Sequence, residues 1–337
     1  MSTQKILFIF RKPNKGNFSI EKVYHNIVDK LKDLSDNPFI IEKKELKKNY
    51  DIITFFTFFM SSLFSNNKIV HITGGCNYMV MAFPFKTKVL TIHDLFHFKK
   101  KSNLKGTIYD LFYYYLPIRF SNYVVVVSEN TKQDVLTNFS IKEDRIIIKH
   151  NPLIIPSESI TYRERSYSKE QVINVMQIGD KPLKNYRRLI EATKDLNVFY
   201  NFIHANDNVI KELIYKFNIQ DKSKIHTEIT DDELYVQYNV NDVLYFASEA
   251  EGFGLPIIEA QAFGMQIITS NIPPMSVIGK GTILVDPFSV SSIKEGFVKL
   301  YNVDIQKENL VVANQNVKNF NLQKVVIDYM NFYKKIA

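Results

Sequence analysis

The 337-residue chain has no tryptophan and a single cysteine, Cys76. One thiol excludes an intramolecular disulfide and suits a reducing compartment. No apolar run reaches the roughly 20 residues that a membrane-crossing helix needs. The most apolar stretch, residues 52–64, is shorter and interrupted by threonine and serine. The N-terminal MSTQKILFIFRK holds an apolar run too brief for a signal peptide, with charges directly after it. A cytoplasmic protein is the expectation. Internal repeats and low-complexity tracts are absent, which excludes solenoid architectures.

What is present describes a soluble globular chain, 45% hydrophobic and 23% charged. Its length allows two domains, each with its own core. The net charge of +8 is unevenly spread. Residues 1–151 hold 23 Lys and Arg against 13 Asp and Glu, and the remainder holds 20 against 22. A basic N-terminal half suggests an acidic partner, such as a membrane lipid or a lipid-diphosphate acceptor.

The stretch SEAEGFGLPIIEA (Ser248 to Ala260) organises the rest. Before it, VLYFAS reads as a short buried strand; within it, Pro256 sits where a helix should begin, and Gly264 is a natural stop. Gly252 and Gly254 let backbone approach a ligand closely. A helix start behind glycines offers free N–H groups and the positive end of a dipole, which together suit phosphate. Glu251 and Glu259 are placed to accept hydrogen bonds from sugar hydroxyls. A pyrophosphate between two sugars fits this layout.

EGFGLPIIEA resembles the two-glutamate signature of the retaining glycosyltransferases of family 4. Two glutamates with seven residues between them carry little alone; GFGLP between them, after a strand and before a helix, carries the resemblance. It implies an α/β protein of the GT-B type: two Rossmann-like domains with a cleft between them and a last helix crossing back to the N-domain. On this basis residues 1–152, with 321–337 as the crossing helix, form an acceptor domain. Residues 153–170, rich in Ser, Pro and charge, read as a linker, and 171–320 form the nucleotide-sugar domain.

The resemblance also assigns roles. Gly179 closes the strand VINVMQIG, and Lys184 and Asn185 match the family's Lys-Asn pair after that glycine, where the lysine contacts the donor diphosphate. Lys181 stands in the same loop. Phe253, Gly254, Leu255 and Glu259 complete the donor side, with Glu259 on the ribose and Glu251 holding the donor sugar. In the N-domain, the strand KVLTIHD ends in His93, which resembles the family's histidine lining the cleft. Gly16, in the loop after the first strand, is the remaining candidate for donor binding. Lys184, Glu251 and His93 are the catalytic candidates.

Other stretches admit two readings. EKKELKKNYD (residues 42–51) reads as a solvated basic face. Phe96 to Phe120 alternates basic and aromatic residues, as in an amphipathic helix with lysines outside or a patch facing anionic membrane. Nucleic-acid grooves use the same residue types, but no known nucleic-acid module is present. TDDE (Thr230 to Glu233) reads as a helix capping box, not a metal site, and no metal or other cofactor is expected. The function implied is transfer of a hexosyl group from a UDP- or GDP-sugar to a glycan or lipid-linked acceptor in surface polysaccharide synthesis, with retention of configuration, in the cytoplasm or at the inner membrane face. A GT-B epimerase and a non-catalytic sugar-nucleotide binder are the alternatives.

Overall fold

A computed structural model of the chain describes residues 4–12, 19–99, 103–162, 165, 167–179, 181–205 and 208–337. Two compact units emerge, Met1–Ile154 with Leu322–Ala337, and Ile155–Asn321. The first is built on β1 (Gln4–Phe10), β2 (Phe39–Glu45), β3 (Asn67–Ile72), β4 (Thr87–Ile92), β5 (Tyr123–Val126) and β6 (Ile146–Ile148). Their order is β2-β1-β3-β4-β5-β6. The second holds β7 (Ile173–Ile178), β8 (Val198–Ile203), β9 (Ser223–His226), β10 (Val243–Phe246), β11 (Gln266–Ser270) and β12 (Ile283–Val285), ordered β12-β11-β10-β7-β8-β9.

Every ladder in both sheets is parallel. Parallel sheets bury both faces, and the strands show it: Ile6, Phe8, Ile9, Val89, Val124, Val175, Val243 and Ile268 are wholly shielded from solvent. In each sheet the winding reverses once. The reversal lies between β1 and β3 in the first sheet and between β7 and β10 in the second. Crevices at such reversals, beyond the carboxyl ends of the strands, are where open α/β sheets bind ligands.

The structure revises the basic stretch. Residues 39–45 are an edge strand, with Lys43 opposite Phe8 and Lys44 opposite Ile9 of β1. Lys43 pairs with Asp29, whereas Lys44, Lys47 and Lys48 are exposed. Lysines on an edge discourage pairing with another chain. The segment read as a linker is counted with the second unit. There the buried Arg165 donates to the carbonyls of Asn241 (3.1 Å), Phe263 (2.7 Å) and Tyr238 (3.1 Å), and the Tyr167 hydroxyl donates to that of Asp242 (2.8 Å). The acidic Thr230 turn is a capping box, with Glu233 N–H donating to Thr230 Oγ1 and Thr230 N–H donating to Glu233 Oε2.

The last helix, Leu322–Ile336, belongs to the first unit and packs on the helix Ser19–Lys32. A buried polar chain ties it down. Tyr24 OH bonds Thr91 Oγ1 (2.7 Å) and Tyr329 OH (2.8 Å), while His71 joins Tyr333 OH (2.5 Å) to Thr91 Oγ1 (2.8 Å) through its two ring nitrogens. Lys149 Nζ reaches Asp328 Oδ2 at 2.7 Å.

Burial holds the His71 pKa down to about 3, so the ring is neutral in the folded state. The unfolded chain takes up that proton near pH 6.5. Below that pH the unfolded state binds more protons, and stability falls as pH falls. The unfolding free energy of the first unit, from urea titration, is expected to drop from pH 7 to pH 5, by up to about 1.4 kcal/mol per pH unit below pH 6.5. His93, also held down by burial, adds to the slope. In His71→Gln the slope should shallow; an unchanged slope would remove His71 as its source.

Candidate active site

In the second unit the crevice at the reversal is lined by the ends of β7 and β10. Gly179 follows β7 with φ of +93°, a conformation that favours glycine. A Cβ there would lie 3.2 Å from Cγ and Cε of Lys184, so the glycine makes room for the lysine to cross it. A 3₁₀ turn, Pro182–Lys184, then delivers Asn185 in the left-handed region (φ 61°, ψ 29°) at the start of the helix Tyr186–Thr193. The buried Asn185 amide donates to the carbonyls of Ala247 (3.0 Å) and Pro287 (2.7 Å), which stitches this loop to the one after β10.

Lys184 Nζ lies 2.6 Å from Glu251 Oε1 and 4.6 Å above the Phe246 ring. The two side chains are 22% and 14% exposed, so the pair sits at the mouth of the site, partly screened from water. Each ion stands where the other's charge is offset, and each is a group that a ligand can take over: the lysine by an anion, the carboxylate by hydroxyls. The Ser248 hydroxyl is buried at the end of β10 with no hydrogen-bond partner among the described residues.

The chain then turns through Gly254 (φ +102°) into the helix Leu255–Ala262. Leu255 is its first residue and Pro256 its second, one place later than expected, where an N–H would still lack an intrahelical partner. No side chain caps this helix. Pro256 has no N–H and Ile257 N–H donates to the Gly254 carbonyl (3.0 Å), so what this helix start offers an anion is the Leu255 N–H and the dipole. Glu259, one turn in, accepts from the Tyr238 hydroxyl at 2.6 Å. Burial, and then the Glu259 charge, push that phenol well above its usual range, so it is a proton donor at any physiological pH. Phe253 has its ring buried edge-on to Phe320, with centroids 5.9 Å apart, which holds the loop down. Lys181 is exposed, and its carbonyl accepts from Lys184 N–H (2.8 Å).

His93 lies in the first unit, after β4. It packs on the turn Gly74–Gly75, where a Cβ on Gly74 would lie 2.6 Å from its ring. Its Nε2 donates to the Thr73 carbonyl at 2.9 Å, which leaves Nδ1 as the lone-pair nitrogen of the neutral ring. Burial lowers its pKa. Asp94 accepts from Phe96 N–H (3.0 Å) and so caps the next segment. Gly16 lies outside the described residues.

Sequence reasoning missed Arg188. Its Nη1 donates to Glu249 Oε1 (2.6 Å) and to Asn185 Oδ1 (2.9 Å), behind the Lys184 loop. Its neighbour Arg187 instead pairs with Glu191 on the surface. The signal was the double arginine one turn after a Lys-Asn pair: only one of two adjacent helical residues can face the sheet. Tyr238, the partner of Glu259, carried no local signal at all. Among the described residues, no group of three or more His, Cys, Asp or Glu is placed to hold a metal ion.

The chain superposes along its whole length on a glycosyltransferase from Rickettsia africae ESF-5 (TM-score 0.76, 19% identity, 100% of this chain and 99% of that one). It also superposes on Anabaena Alr3699/HepE in complex with UDP and glucose (TM-score 0.76, 13% identity, 98% and 100%). The fold is therefore GT-B, the two-domain architecture of many glycosyltransferases. Residues 162–317 match the family model for glycosyl transferases group 1. The O-antigen chain mannosyltransferase RfbU of Salmonella typhimurium is 23% identical over 209 residues, which cover 60% of this chain and 57% of that protein.

Gly179→Ala should strain the φ of +93° and push against Lys184. A loss of about 1–3 kcal/mol in the second unit is expected by urea unfolding, with weaker binding of nucleoside diphosphates by calorimetry. Wild-type stability and binding would show that the glycine is not needed.

Proposed function

We propose that the protein is a retaining glycosyltransferase of family 4, which moves a hexosyl group from a UDP- or GDP-sugar to a glycan or lipid-linked acceptor. The observation that carries this reading is the Lys184–Glu251 pair (2.6 Å), set at the sheet's reversal beside an uncapped helix start with Glu259 one turn in. The match to group 1 glycosyl transferases and the likeness to a structure that holds UDP support it. The relative's description as an O-antigen chain mannosyltransferase favours surface polysaccharide synthesis and makes mannosyl the first hexose to test.

Donor binding separates the pair. Lys184 turns to the diphosphate, the N–H groups around Gly254 and Leu255 take its oxygens, and Glu251 accepts from hydroxyls of the sugar. Gly179, Lys181 and Asn185 shape and line the diphosphate loop, and Glu259 accepts from the ribose while Tyr238 fixes its rotamer. In the reaction the bond from the anomeric carbon to the diphosphate breaks, a bond to the acceptor oxygen forms, and the acceptor proton leaves with the diphosphate. Negative charge grows on the leaving group, where the lysine and the helix dipole stabilise it without a metal. On the acceptor side, His93 offers its Nδ1 to a sugar hydroxyl.

The basic first unit also proposes a peripheral contact with anionic membrane, at the cytoplasmic face. Its helix Ile52–Phe64 contains no charged residue, and Ile53 (73%) and Phe64 (83%) are largely exposed. Among the described residues, no helix is long and apolar enough to cross a membrane.

Thermal melts with UDP, GDP and their sugars, with and without EDTA, test the donor site. One nucleotide at 100 times its Kd should stabilise by about 2.7 kcal/mol, unaffected by chelation and lost in Glu259→Ala. Lys184→Ala and Glu251→Gln should each lower kcat by about 100- to 1,000-fold while the protein stays folded. No stabilisation by any nucleotide would sink the transferase reading, and donor turnover without transfer would favour an epimerase.

A further inference from the structure

The first unit contains a cavity of about 380 Å³ that the donor chemistry does not use. It lies between the helix Ile52–Phe64 and the helical stretch 104–115, and its walls include Ile52, Phe55, Met81, Ile108 and Phe112. Tyr50 and Tyr78, which follow β2 and β3 in the chain, also line it, and the carboxyl ends of parallel strands are where open sheets bind ligands. Its volume falls in the range of small-molecule sites, about 300–1,000 Å³.

Its wall is almost wholly hydrocarbon and aromatic ring. Of its polar groups, Tyr78 OH accepts from Tyr50 N–H (2.9 Å) and Asp51 caps its helix through Thr54 N–H (2.9 Å). A sugar entering here would lose its water and find few free partners. A hydrocarbon chain loses nothing. Ile52 (69% exposed), Ile108 (48%) and Phe112 (49%) continue the apolar surface from the cavity to its rim. Charge completes the pattern. Lys47 and Lys48 are exposed just before Tyr50 and Asp51, which line the cavity. A flat bilayer cannot fill a concavity, whereas one chain with an anionic head near these lysines can.

We propose that this cavity holds the hydrocarbon chain of a lipid-linked acceptor, with its phosphate at the Lys47–Lys48 rim. The proposal rests on the transferase reading and goes beyond it by naming where the acceptor's lipid is held. The chain has no tryptophan, so Phe112→Trp supplies a single fluorescent reporter at the cavity. The experiment titrates it with octyl, nonyl and decyl phosphate and with farnesyl phosphate, all below their micelle concentrations. Saturable binding is expected, tightening about fourfold per added methylene and weakened at least tenfold by Ile108→Glu, an exposed position that should not impair folding. Lys47→Ala with Lys48→Ala should weaken alkyl phosphates but not the matching alcohols.

Affinity independent of chain length, or no saturable change, would overturn the proposal. So would a response confined to phosphatidylglycerol vesicles and indifferent to Ile108→Glu, since that describes a bilayer contact alone. Nucleotide binding is measured on the same samples. Failure of the phosphates with nucleotide binding intact removes the lipid site only, and the converse removes the transferase reading.

Discussion

Everything in this molecule follows from burying both faces of a parallel sheet. A strand can join its parallel neighbour only through a crossover that packs back on the sheet, nearly always right-handed. To cover both faces, the chain must wind outward one way, return to the middle and wind the other way. At that return two adjacent loops diverge to opposite faces, and the crevice between them cannot be filled by either. In the second unit those loops follow β7 and β10, and they carry Gly179, Lys184 and Glu251. The candidate site sits there because the topology leaves a hole at that point.

The hole is kept usable by a division of labour among polar groups. Asn185 and Arg188 are spent on structure: the amide joins two loops through their carbonyls, and the guanidinium holds Glu249 behind them. At the mouth, Lys184 bonds Glu251 and lies over the Phe246 ring. Such a pair holds both side chains in place, and in the proposed function a donor would take over both. Glu259 is fixed in another way, by a phenol that burial prevents from ionising.

The first unit follows the same topological rule with different chemistry at its edge. Its core is locked by the hydroxyl and imidazole chain from Tyr24 through Thr91 and His71 to Tyr333, which fastens the C-terminal helix to strands far away in sequence. The cavity beside its sheet edge is walled mainly by aromatic and aliphatic side chains, with exposed lysines in the segment before Tyr50. Under the proposed function the two units would divide recognition: fixed dipoles and charges for a diphosphate, apolar walls for an acceptor's lipid.

Local chemistry wrote much of this into the sequence. The strands with continuous apolar runs, the glycines at Gly179 and Gly254, the capping box at Thr230 and the order of Glu251, GFGLP and Glu259 all depend on near neighbours, so they were legible one residue at a time. The return of the last helix to the first unit was legible only through resemblance. The edge strand at residues 39–45 was hidden, because Lys43 pairs with Asp29 and Lys44 is exposed at an edge where hydrophobic alternation is not required. The pairing of Lys184 with Glu251, 67 residues apart, the choice of Arg188 over Arg187, the seat of Glu259 on Tyr238 and the cavity behind Tyr50 had no local signature. They are distances between segments that meet only when the sheets close, and a linear pattern of side chains fixes which groups exist but not which of them touch.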